Sequence, residues 1–136
     1  MTPREGAIAK RVREWLTYAA EDLSLAERVL AEDMAQLRAV GFHSQQAAEM
    51  YLKALLTWRQ IEFPKTHDIE DLLELLRRSD GVLVESILDA DELTRYAVKT
   101  RYPSDTTLPS PEDAVRAVKL ARSVRDAVLS ILRNIP

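Results

Sequence analysis

Three groups of residues carry types and spacings that could do chemistry. Arg95-Tyr96 and Arg101-Tyr102 put a guanidinium beside an aromatic ring twice within eight residues. That pairing suits a nucleotide, because the guanidinium forks onto phosphate and the ring stacks on a base, and it suits the rim of a core equally well. Gln46, Glu49 and Lys53 step by three and four, so on a helix they share one edge, and Glu49 ahead of Lys53 is the favourable order for an ion pair. From spacing alone this edge is either solvated or a polar wall along a groove or a dimer seam. The third group holds the chain's two histidines, His43 and His67. His43 ends the string Arg38-Ala-Val-Gly-Phe-His43, which reads as the entry to a helix, with the imidazole bonded to backbone or water. His67 precedes a helix cap in "KTHDI" and orders that turn.

Composition excludes several other chemistries. The 136-residue chain has no cysteine, so disulfides, thiolate catalysis and cysteine-ligated zinc are ruled out. Two histidines leave little for a metal site, and neither a metal nor a cofactor is expected. Apolar residues make up 46% and charged residues 30%, the balance of a globular chain. The net charge of -3 argues against a protein that coats nucleic acid by bulk charge, so any such contact must be local. No apolar run reaches membrane-span length and the N-terminus lacks an apolar leader core, so a cytoplasmic, membrane-free protein is expected.

Helical periodicity must position these groups. Val12, Leu16, Ala19, Leu23, Ala26 and Leu30 alternate steps of four and three and predict helix one, to about Glu32. Residues 38–41 read as a short connection, and Phe42 to about Gln60 as helix two, apolar on most sides and therefore central. Pro64 interrupts "EFPKTHD", Asp68 caps a short helix three, and Ser79-Asp80-Gly81 ends it. Leu83, Ile87, Ala90, Leu93 and Ala97 predict a continuous helix four to about Lys99. After a proline-rich loop, Ser110-Pro111-Glu112-Asp113 starts helix five, with Val118, Ala121, Val124, Val128, Ile131 and Ile135 on its apolar side. Arg116, Lys119, Arg122 and Arg125 rotate round that helix as a broad solvated face with no assigned function. The whole chain, 1–136, reads as one all-α domain, an antiparallel up-and-down bundle of about five helices.

"FHSQQAAEMYLKALL", then "FPKTHDIEDLLELL", then "RYP" before the last helix resemble the HEPN domain family, in the right order across nearly the whole chain. The resemblance implies a four- to five-helix bundle, usually a homodimer, often paired with a minimal nucleotidyltransferase in toxin-antitoxin systems. Active members are metal-independent RNases that use an Arg followed four to six residues later by a His. Imidazole is suited to activate the 2′-hydroxyl, and Arg to stabilise the phosphorane. Here Arg101 matches the Arg, but the positions that follow are Asp105, Thr106 and Thr107, and no His is among them; Arg38 and His43 fit the spacing literally, at the wrong end of the sequence for the family pattern. The resemblance therefore implies a dimeric nucleotide- or RNA-binding module with little RNase activity. An active RNase toxin and a ligand-free helical interaction protein are the alternatives. Arg95, Tyr96, Arg101 and Tyr102 are the binding candidates, and Gln46, Glu49, Lys53 and His67 the groove or seam.

Overall fold

A computed structural model describes residues 1–32, 36–97 and 109–133. Among them there is no strand, and the elements are α1 (Pro3–Glu32), α2 (Leu37–Trp58), α3 (Ile69–Arg77), α4 (Gly81–Ser86), the 3-10 helix η1 (Leu88–Tyr96) and α5 (Pro111–Leu132). The bundle is all-helical, as the periodicity requires. α1 begins well before Val12, because Thr2 and Glu5 close a capping box around Pro3: the Glu5 N–H donates to Thr2 Oγ1 at 3.1 Å and the Thr2 N–H to Glu5 Oε2 at 2.9 Å. α2 also starts earlier than its sequence suggests, so residues 38–41 are its first turns and not a connection.

Contacts between elements fix their directions. Arg4 with Gln60, Trp15 with Lys53 and Asp22 with His43 pair rising numbers on α1 with falling numbers on α2, so the two are antiparallel. α3 runs the same way as α2. Residues 61–67 climb back along the bundle until the His67 carbonyl meets Gln45, and the far end of α3 then meets Arg59 through Ser79 and Asp80. α4 and η1 return upward, bringing the Thr94 hydroxyl to the Ile69 N–H at 3.1 Å and the Tyr96 ring onto Gly41. α5 descends against both α1 and α2. Val40, Ala47, Ala48, Leu52, Leu55 and Leu56 of α2 are buried together, which makes it the central helix.

α5 is started by the strongest local signal. Ser110 Oγ accepts from the Asp113 N–H at 3.1 Å and the Ser110 N–H donates to Asp113 at 3.0 Å, with Pro111 at the first helical position. That N–H holds the Asp113 carboxyl below the usual carboxylate range. Its core stripe ends on Leu132, with Ile131 only half-buried, and Ile135 lies outside the described residues. The one large departure is helix four. Where one α-helix is predicted, a six-residue α4 is followed by nine residues of 3-10 helix.

α2 ends in a Schellman motif: the Ile61 N–H donates to Leu56 C=O at 2.9 Å and the Gln60 N–H to Thr57 C=O at 3.0 Å. The motif needs a left-handed residue, and Gln60 supplies it at φ 56° where glycine is the usual occupant. Gln60→Gly is therefore expected to raise stability by about 0.5–1 kcal/mol, and Gln60→Val to lower it by more. Urea melts check both, the midpoint shifting with the slope unchanged.

Candidate functional site

Two clusters contain the candidate residues that the structure describes. The first lies along α2. Glu49 is buried, and its carboxylate is met on every side: Lys53 Nζ lies 2.8 Å from Oε2, while Gln45 Nε2 and His67 Nδ1 each lie 3.0 Å from Oε1. The side chains of Lys53 and Glu49 are 8% and 4% exposed, so the solvated-edge alternative is overturned and the edge is a polar wall inside the bundle. Lys53 Nζ also sits 5.7 Å from the Trp15 ring and 5.8 Å from the Phe63 ring, which themselves meet edge to face. Cation–π attraction of this kind offsets part of the cost of taking an ammonium out of water. His67 closes the outer end of the wall, with its side chain 68% exposed.

Gln46 stands half-buried and makes none of these bonds; its neighbour Gln45 makes them instead. Gln45 is fully buried and bridges Glu49 to the His67 carbonyl, both at 3.0 Å from its Nε2. The signal was present, because Gln45 precedes Glu49 by four residues, but the three-step from Gln46 fits the same edge nearly as well. The sequence reading also missed Trp15 and Phe63 beside Lys53.

The second cluster caps the bundle where η1 meets the start of α5. The Arg95 guanidinium lies 5.5 Å from the ring centroid of Tyr96. Tyr96 is half-buried on Gly41, where a Cβ would come within 3.0 Å of the ring, and burial pushes its phenol pKa up. Arg116 grips both oxygens of Glu92, at 2.8 and 2.6 Å, and this bond holds the Glu92 carboxyl below its ordinary range. Glu92, Arg95, Tyr96, Asp113 and Arg116 line a cleft of about 30 Å³, too small for a nucleotide as it stands. Arg101 and Tyr102, with Asp105 and Thr106, lie outside the described residues.

The Arg38/His43 string is helical throughout, and five residues on an α-helix separate two side chains by about 140°, so the pair does not converge within one chain. His43 has a side-chain partner that its place at a helix entry did not suggest. Its Nδ1 lies 2.7 Å from Asp22 Oδ1 of α1, with both groups partly buried. Among the described residues no helix is long and apolar enough to cross a membrane.

Removing one partner of a buried pair strands the other, so Lys53→Ala is expected to cost roughly 3 kcal/mol. Gln46→Ala should stay within about 0.5 kcal/mol. The double change Glu49→Gln with Lys53→Met should cost less than Lys53→Ala alone, because no charge is left unpaired. Denaturant melts of the set measure all three.

The HEPN domain model matches residues 12–132. The crystal structure of TT1696 from Thermus thermophilus is similar, with a TM-score of 0.71 and 28% sequence identity, covering 88% of this chain and 97% of that one. No curated protein matches the chain. The matched region takes in both clusters, from α1 to the end of α5. The chain belongs to the HEPN domain family.

Proposed function

We propose that this protein is a nucleotide- or RNA-binding HEPN module that acts as a homodimer beside a minimal nucleotidyltransferase, in a toxin-antitoxin-like pair, without strong RNase activity. The observation that carries this reading is the Arg101-Tyr102-Pro103 segment, which keeps the family's Arg and has Asp105, Thr106 and Thr107 where the family's His would stand. Arg101 can still bind a phosphate and Tyr102 can stack on a base. Neither can take the proton of a 2′-hydroxyl near neutral pH, and general-base catalysis supplies about 10²–10⁴ in rate. Arg95 and Tyr96, with the guanidinium 5.5 Å from the ring centroid, support the binding half of the reading. Dimerisation follows the family habit and would set two such ends in one assembly.

One observation favours the alternative of an active RNase. Asp22 holds the His43 imidazole at 2.7 Å, the arrangement that orients a general base. The two readings separate in one assay, a fluorescent single-stranded RNA incubated with purified protein in EDTA. The expected result is binding without cleavage, binding that Arg101→Ala weakens in a salt-dependent way, and cleavage created or raised by Thr106→His. Robust wild-type cleavage abolished by His43→Ala would overturn the proposal and assign catalysis to the His43–Asp22 pair.

Light scattering tests the dimer separately. Twice the 15.4 kDa chain mass is expected at micromolar protein. A monomer across ordinary salt would remove any site composed of two chains.

A further inference from the structure

The segment after α4 fits two helical registers. Its apolar residues Leu83, Ile87, Ala90, Leu93 and Ala97 are spaced for an α-helix, yet the backbone of Leu88–Tyr96 is 3-10, a form that seldom exceeds three or four residues and often marks a hinge. The two forms differ at one end. With three residues per turn, Ile87, Ala90, Leu93 and Tyr96 eclipse one another, and the first three are buried while the Tyr96 ring rests on Gly41. With ~100° per residue and Ala90 as centre, Ala97 falls about 20° from the middle of the stripe and Tyr96 about 120° from it. Leu93, at about 60°, stays near the core in both.

We infer that residues 88–97 are a two-register element, 3-10 with Tyr96 seated on Gly41 and α-helical with Ala97 in its place, and that single-stranded RNA selects the second by stacking on the freed Tyr96. The inference rests on the RNA-binding reading above and supplies its regulation. Three contacts hold the register seen here. A side chain at position 41 is absent, and a Cβ there would lie 3.0 Å from Cγ and Cδ1 of Tyr96, tight enough that the ring would have to give way by a few tenths of an ångström. The Thr94 hydroxyl accepts from the Ile69 N–H, and Glu92 is clamped by Arg116. In the α register Thr94 turns by roughly 80°, into the stripe and away from Ile69. Nine residues would also shorten from about 18 Å to about 13.5 Å, drawing the end of η1 back along the bundle. Tyr96 is one of the residues that line the cleft of about 30 Å³ beside Arg95. Releasing that ring opens it and frees for a base the aromatic face over which the Arg95 guanidinium now lies.

The four tyrosines, Tyr18, Tyr51, Tyr96 and Tyr102, permit a direct test. Protein labelled with 3-fluorotyrosine is assigned by single Tyr→Phe changes, and the solvent exposure of the Tyr96 resonance is followed by ¹⁹F NMR with and without an unstructured RNA oligonucleotide in EDTA. RNA is expected to expose Tyr96. Gly41→Ala, which crowds the seat, and Ala97→Leu, which fills the α stripe, should each expose it without RNA. Each should also tighten RNA binding about tenfold, as raising a minor competent population does. Tyr96 remaining seated in both folded variants overturns the two-register element. RNA binding with Tyr96 unmoved overturns it too, and leaves the RNA reading standing. Exposure in the variants with no RNA binding in any form supports the element and overturns the RNA reading instead.

Discussion

A carboxylate in the middle of a helical bundle must be bonded on all sides, and much of this fold follows from how Glu49 meets that demand. An isolated buried carboxylate is too costly to keep charged. Lys53 supplies the counter-charge from one turn further along α2, but Oε1 still needs donors, and those come from Gln45 and from His67. His67 reaches Glu49 only because residues 61–67 turn back along α2, and Gln45 fastens that return through the His67 carbonyl. The start of α3 is fixed in consequence. Ile69 then offers its N–H to Thr94, which fixes η1, and η1 sets Tyr96 on Gly41. A constraint on one acid at the centre thus reaches the Arg95/Tyr96 rim by four short steps.

An apolar substitute for this network would pack as well and could be more stable, since buried ion pairs often only break even against hydrophobic residues. What the charged version adds is direction. A leucine at position 49 would accept any apolar neighbour, whereas a carboxylate accepts only donors at ~3 Å. Residues 61–67 are short of apolar side chains that could dock them otherwise, apart from Ile61 and Phe63. The polar wall therefore specifies the path of a segment that the hydrophobic core could not specify alone.

Long-range periodicity made the bundle legible. The stripes of α1 and α5 each repeat for about five turns, and burial agrees with them at Val12, Ala19, Leu23, Val118, Ala121 and Val124. Ends were less legible where the signal was local. Thr2-Pro3 with Glu5 is a complete cap, but the apolar stripe drew attention to Val12. The Glu49–Lys53 pair was legible as a pair, while its burial was not, because burial depends on Trp15 and Phe63, which spacing on α2 does not reveal. Gln45 and Gln46 differ by about 100° on the helix, and only the position of His67 decides between them. Residues 88–96 depart from the sequence expectation because their apolar positions satisfy a period of 3.6, whereas the period of 3.0 in the structure brings Tyr96 onto a glycine of another helix, 55 residues earlier, which spacing within the segment does not reveal.

The charge at the end of the bundle bears on how any nucleic acid would be held. Arg116 is committed to Glu92, Arg122 to Glu27 and Arg125 to Asp126, so the arginines of α5 present dipoles more than net positive charge. A polyanion gains little by approaching such a surface, since its counterions are released only by uncommitted cations. With a net charge of -3 there is no long-range attraction to compensate. Recognition at this end must therefore come from geometry at short range, from a ring that can stack and a guanidinium beside it. Tyr96 and Arg95 are such a pair among the described residues, so on the proposed reading the seat of one tyrosine on one glycine is the feature on which binding there would turn.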